Sequence, residues 1–218
     1  MRLAPVLWLG LVCLQSPAET IPVRARNYTA PARGTRPAIP IGKPVEIKAP
    51  LGLPPVPIPK DNPPTAETIR LGRKLFFDPI LSADGKISCS SCHNPKTAFT
   101  DPKVISLGIG DKVGTRNSMT LLNAAYHLTQ FWDGRAQRLE DQASGPVLNH
   151  LEMDHSLVGV ERRLTASKEY ARLFEEAFGP GPITWDMVAK SLASYERTLL
   201  SGNSPFDRYQ YGGDKKAM

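Results

Sequence analysis

The sequence predicts an all-α fold preceded by a long Pro-rich extension. Three observations carry that prediction. From residue 65 onward, apolar residues recur at helical spacing in segments bounded by capping residues and Gly or Pro stops, and no segment alternates as a strand does. Of the 21 prolines in 218 residues, twelve lie between residues 19 and 64, where no period is sustained. The only two cysteines beyond residue 20 sit in Cys89-Ser90-Ser91-Cys92-His93, which compresses two thiols and an imidazole into little more than one helical turn.

Residues 1–18 read as a secretory signal. Arg2 supplies the basic start, Leu3 to Leu14 an apolar run too short to span a bilayer, and Ser16-Pro17-Ala18 a small-residue cleavage site. Cys13 lies inside that signal, and the bulky Val12 before it argues against a lipid-anchored cysteine. Residues 19–50 are expected to form an extended tether. Leu51 to Pro57 is apolar enough to lie on a folded surface, so the domain is expected to run from 51 to 211, with 212–218 opening a linker.

The first helix is expected from Ala66 to Phe76, capped by Thr65, with Ile69, Leu71, Leu75 and Phe76 inward and Pro79 as stop. Residues 78–85 are turn-rich, and a short helix carries the two cysteines. Residues 95–117 form a polar, Gly-containing loop with one extended piece at 104–107. Asn117 or Ser118 caps a helix through His127, with Leu121, Leu122 and Ala125 as core. Phe131 to Arg135 is a compact turn, and 136–144 is helical up to a stop at Gly145-Pro146. Further helices cover 157–164, 168–178 (Ser167 as cap, Gly179-Pro180 as stop) and 185–200 (Thr184 as cap, Gly202 as stop). The last places Val188, Leu192, Tyr195 and Leu199 in the core. Ser204-Pro205 starts a final short helix ended by Gly212-Gly213.

The formal charge of +6 is spread along the chain with no basic block, which leaves nucleic-acid binding unsupported. Once the signal is removed, no membrane span is expected. Cys-x-x-Cys-His is the attachment motif of c-type haem. Thiols three positions apart can add to the two vinyl groups of one porphyrin, and the adjoining imidazole reaches the iron as proximal ligand. Cys89, Cys92 and His93 are therefore the candidate haem c residues. A zinc site would need four protein ligands and would have to recruit distant histidines. A thioredoxin-like pair would sit between a strand and a helix, whereas the flanks here are turn-like. Haem c is attached outside the cytoplasm, which agrees with an exported, periplasmic protein.

Several ordered blocks then carry a wider likeness. Leu71 to Pro79, Leu81-Ser82, Ile87 to Pro95, Arg116 to Asn123, Gln130 to Arg135, Gln142 with Gly145-Pro146, Glu152-Met153 and Phe206 to Tyr209 together resemble the bacterial di-haem cytochrome c peroxidases. The resemblance includes the MauG-like branch, which oxidises a side chain of a partner protein. It runs from about Leu51 to the C-terminus. It implies a cytochrome c-like helical domain around one covalent haem, the peroxidatic one, with a second haem domain that this chain does not contain. The chain is expected to be the first half of such a protein.

The resemblance also implies roles. Glu152 matches the distal acid that moves a proton between the oxygens of hydrogen peroxide, and Gln142 and Pro146 match distal-pocket residues. Trp132 matches a tryptophan between the two haems. Asn117 matches a residue that helps hold calcium at the domain interface. Electrons would come from a small cytochrome c or cupredoxin, and a homodimer stays open. Read without the family, Glu152 is a solvated carboxylate, Pro146 a helix stop, Trp132 buried area and Asn117 a helix cap. The family's histidine in the loop after the haem motif is absent, since residues 94–126 hold no His. That points to an iron with an open sixth position and keeps the MauG-like reading alive. His127, His150 and His155 remain as surface or satisfied residues. A mono-haem electron carrier is the third reading, and would need Met119 or Met153 as sixth ligand.

Overall fold

The computed structural model describes residues 38–218, so the expected signal and residues 19–37 of the expected tether lie outside the described residues. Among the described residues the chain is helical, with four isolated β-bridges and no strand. α1 (Ala66–Phe77) starts at a capping box in which Thr65 and Thr68 exchange side-chain bonds with each other's backbone. α2 (Cys89–Cys92) carries the two thiols. α3 (Leu139–Gln142) and α4 (Ser144–Leu148) follow end to end, then α5 (Leu157–Ala166), α6 (Lys168–Phe178), α7 (Trp185–Glu196) and α8 (Pro205–Gln210).

The frame is the crossing of α1 and α7. At Gly72 the backbones touch: a Cβ built there would run into the carbonyl of Ser191 and lie 3.0 Å from Cβ of Tyr195. Only glycine permits that approach. Around the crossing, Leu71, Leu75, Phe76, Val188, Leu192 and Tyr195 are buried in one core with Leu164, Tyr170 and Phe174 from α5 and α6. The rings of Phe76 and Tyr195 meet at 5.3 Å, and Phe76 reaches Phe99 at 6.1 Å. α7 has no side-chain cap from Thr184. Instead Glu161 of α5 accepts the Trp185 N–H at 2.7 Å, which ties the two helices at that end.

The structure departs from the sequence expectation at three places. No helix runs from 117 to 127; only a single 3-10 turn, Ala124–Tyr126, forms there. Asn123 before it is left-handed, and its side chain bonds Ser201 N and O, both at 2.9 Å. Gly145-Pro146 does not stop a helix but lies in the first turn of α4, where the missing proline N–H has no helical acceptor to lose. Residues 38–50, expected to belong to a tether, are pinned to the helices. Ile41 N–H donates to Ala177 O at 3.0 Å, and Ala38 N–H to Asp186 at 3.2 Å. Lys190, only 2% exposed, donates to Ala38 O at 2.6 Å and pairs with Asp186 at 2.9 Å.

Beyond this strap, Asp61 and Asn62 enter a polar cluster. Asp61 takes two bonds of 2.9 Å from Arg138, and Asn62 donates to Glu140 at 2.7 Å. Glu140 also faces Arg197, with one bond of 3.1 Å and a second nitrogen at 2.9 Å but off the hydrogen-bond direction. Burial raises the Glu140 carboxyl, but its bonds from Arg197 and Asn62 outweigh that and hold it below the usual range. The stability it contributes is present above its unfolded-state pKa and is lost as pH falls through the depressed value. Arg197→Leu strands the buried Glu140 charge and is expected to cost about 3–5 kcal/mol in urea unfolding.

Candidate active site

α2 is set by Ser88, whose N–H donates to Ser91 Oγ at 3.0 Å in a second capping box. His93 closes the helix with its N–H on Cys89 O at 2.9 Å. Its Nδ1–H donates to the carbonyl of Phe99 at 3.0 Å, which fixes the tautomer and leaves Nε2 as the ring's lone pair. That carbonyl is aimed by a tight turn in which Ala98 and Phe99 both have positive φ, 57° and 56°. Two consecutive left-handed non-glycine residues are costly, and the turn is held by Asn94, whose O accepts Phe99 N–H at 2.8 Å. Burial pushes the imidazole pKa down, which keeps His93 neutral, the form that binds a metal.

The thiols do not form a redox pair. Burial, with Glu196 adding to it, pushes Cys89 up to about 12, and burial raises Cys92 as well. Thioredoxin-like pairs depress one thiol instead. Among the described residues no three His, Cys, Asp or Glu side chains gather to hold a metal ion, so a zinc site has no support. Both cysteines are half-buried, and Cys89 packs against the core. Cys92 Sγ lies 3.9 Å from Leu107 O, near the paired hydroxyls of Ser106 and Ser118. Two non-ionised thiols on one turn beside a neutral imidazole fit a covalently attached haem.

Glu152 sits in a turn built by Asn149. Asn149 O accepts the N–H groups of Glu152 and Asp154, each at 3.0 Å, and its Nδ2 donates to Glu152 Oε1 at 2.6 Å. Burial raises the Glu152 carboxyl; the Asn149 bond and the Arg135 charge only partly offset that. The Glu152 charge acts on Cys89 and Cys92, whereas His93 feels Phe99, Met119 and Asp101. Loop 95–117 docks on this turn: Ile109 N–H donates to Glu152 O at 2.8 Å, and a side chain at Gly108 would collide with Leu151 O.

α3, α4 and the turn after them also carry Gln142 and Pro146. Gln142 is half-buried at the end of α3, and Pro146 O accepts Met153 N–H at 3.2 Å. Residues that the sequence reading did not single out complete the surroundings. The Phe131 ring lies over Gly145, where a Cβ would come within 2.6 Å of it. The Arg135 guanidinium stacks 3.4 Å from the centre of that ring. Asp133, bonded by Arg116 and Arg135, is held down at about 2. The i,i+3 spacing of Asn149 and Glu152 was the only available signal for that pair.

Trp132 is 62% exposed, which removes the buried-area reading; its Nε1–H donates to Asn117 O at 2.9 Å. Asn117 caps no helix. Its amide nitrogen bonds the carbonyls of Lys103 (2.7 Å) and Asp101 (3.2 Å). Met153 is packed into the core, and the backbone of Met119 lies against the His93 ring itself. His127 and His150 are exposed, and His155 accepts Ser156 N–H at 2.9 Å.

Asn149→Ala removes the donor that favours ionised Glu152. The Glu152 pKa is therefore expected to rise, moving the acid limb of peroxide reactivity in the haem-loaded chain to higher pH. A pH–rate profile of both proteins checks this.

Fold and site together are those of a c-type cytochrome domain. The family model for di-haem cytochrome c peroxidase matches residues 66–216, and the chain belongs to that family. It is 42% identical over 158 residues to the cytochrome c551 peroxidase of Pseudomonas aeruginosa, covering 72% of this chain and 46% of that protein. It is 44% identical over 160 residues to the methylamine utilization protein MauG of Methylorubrum extorquens, covering 73% and 45%. The chain therefore matches less than half of either relative. A crystal structure of a MauG-like protein associated with microbial copper homeostasis superposes with a TM-score of 0.69 at 32% identity, covering 75% of this chain and 49% of that one. The diheme peroxidase BthA of Burkholderia thailandensis gives 0.58 at 25% identity, covering 67% and 42%. The family implies c-type haem and oxidoreductase chemistry of the peroxidase kind. No helix among the described residues is long and apolar enough to cross a membrane.

Proposed function

We propose that this chain is the peroxidatic haem domain of a periplasmic enzyme that reduces hydrogen peroxide to water. Cys89 and Cys92 would hold the haem by thioether bonds and His93 would ligate its iron. When bound, the haem would supply an iron centre that reacts with peroxide. The observation that supports the reading is Glu152: a half-buried carboxyl with a raised pKa, held by Asn149 and close enough for its charge to act on Cys89 and Cys92. Its carboxylate takes the proton of the peroxide oxygen nearer the iron and returns it to the farther one, which then leaves as water. Two electrons and two protons balance each peroxide. Gln142 and Pro146 border the same turn, Gln142 as a donor to bound oxygen and Pro146 as an apolar wall.

Electrons would come from a small cytochrome c or cupredoxin through a second haem domain, and the exposed Trp132 is the residue proposed to lie on that route. Calcium would sit at that interface, with the Asn117 amide oxygen, free among the described residues, as one ligand. The reading is tested by the optical spectrum of the haem-loaded chain before and after one equivalent of peroxide. A high-spin spectrum that shifts within the mixing time supports it. A low-spin His/Met spectrum indifferent to peroxide overturns it. A MauG-like oxidase is the second reading, favoured by the absence of any His between residues 94 and 126. Turnover of a protein substrate without reductive activation would select it.

A further inference from the structure

Glu196, at the end of α7, is a buried carboxylate that the peroxide chemistry does not use. It is 7% exposed and makes no side-chain hydrogen bond or ion pair among the described residues. Its sequence neighbour Arg197 turns its guanidinium to Glu140 instead, with one bond of 3.1 Å, and Arg138 faces the same carboxylate at 3.4 Å. The other basic group near this end of the helix, Arg73 of α1, acts on Tyr195. Burial pushes its carboxyl up to about 8, with the Arg197 charge lowering and the Glu140 charge raising it. Neither of its oxygens is among the fully sealed, unpartnered atoms, so protons can reach it. The adjoining Tyr195 packs on Phe76, which packs on Phe99, the residue whose carbonyl orients His93. On the other side, the Glu196 charge reaches Cys89.

We propose that Glu196 is a proton site of the haem: one-electron reduction of the iron draws one proton from solvent onto the Glu196 carboxylate, and oxidation releases it. This rests on Cys89, Cys92 and His93 holding haem. The physical basis is charge compensation. Reduction removes one positive charge from the buried iron, and an unpaired carboxylate nearby then loses the partner that favoured its ionised form. The electron comes from a one-electron donor, an external protein or a chemical mediator, and the proton from water.

The test is a potentiometric titration of the haem-loaded full chain between about pH 6 and 9, where burial places the titration of this carboxyl. The wild-type midpoint is expected to fall with rising pH by up to about 59 mV per unit, the tenfold value for one electron. Glu196→Gln is expected to flatten that slope. Glu196→Asp, which keeps a carboxyl on a shorter arm, is expected to restore a slope in a shifted window. A flat wild-type line, or an unchanged slope in Glu196→Gln, overturns the proposal. If the Gln variant takes up no haem, the Asp variant decides: a window identical to wild type overturns it. Failure of the wild-type chain to take covalent haem, read by its mass, would instead overturn the haem assignment itself.

Discussion

Glu152→Gln is expected to slow the reaction of the haem-loaded chain with hydrogen peroxide by about 10²- to 10⁴-fold, the usual contribution of a positioned general acid–base group. The amide keeps the shape of the side chain and can still meet Asn149, but it cannot take and return a proton. Rapid-mixing traces of both proteins at one pH check this. An unchanged bimolecular rate would show that proton transfer does not run through Glu152. The wild-type rate should fall as pH drops through the Glu152 pKa, because the base is then protonated. Burial raises that pKa, so the loss begins at higher pH than for an exposed glutamate. The Gln variant should show no such limb.

Gly72→Ala is expected to cost about 3 kcal/mol or more, and at the limit to prevent α1 and α7 from crossing. One methyl group there meets the Ser191 carbonyl, a backbone atom that no rotamer change can move. Gly85→Ala is the control. Gly85 has a positive φ of 67° but nothing within 4 Å, so it should lose only about 1 kcal/mol, the ordinary left-handed penalty. Urea unfolding of the three proteins separates close packing from backbone strain. Equal losses would mean that the helix contact is not what needs glycine at position 72.

The helices that form the frame were legible because local signals agreed with packing. Thr65 as cap, apolar spacing through Phe76, and Gly179 after α6 each appear where the sequence places them. The expected helix over 117–127 failed for a non-local reason: Asn123 ties its side chain to Ser201, 78 positions away, and no window of sequence contains that bond. Pro146 shows another limit. A proline reads the same whether it ends one helix or sits in the first turn of the next. In the site, the contiguous motif Cys89-x-x-Cys92-His93 was readable on its own, whereas Glu152 was visible only through family likeness. Its partner Asn149 and the Phe131–Arg135 stack are local in sequence but carry no pattern that marks them, whereas the unpaired Glu196 depends on Arg197 meeting Glu140 from another segment. The role of Gly72 was hidden too, since a glycine in a helix does not announce which backbone it touches.

The strap formed by residues 38–64 also bears on the order in which the protein folds. Ala38 is fixed by Asp186 and Lys190, partners 148 and 152 positions later, and Asn62 by Glu140 and the Lys190 carbonyl. Contacts this distant along the chain raise the contact order and close only after α7 exists. Residues emerging early during synthesis therefore wait, extended, for nearly the whole chain to follow. Their proline content suits that wait, because it disfavours helix and strand alternatives in the interval. Docking of the strap over Lys190 is then a late event of folding, and it seals a cation that is open to water until that moment.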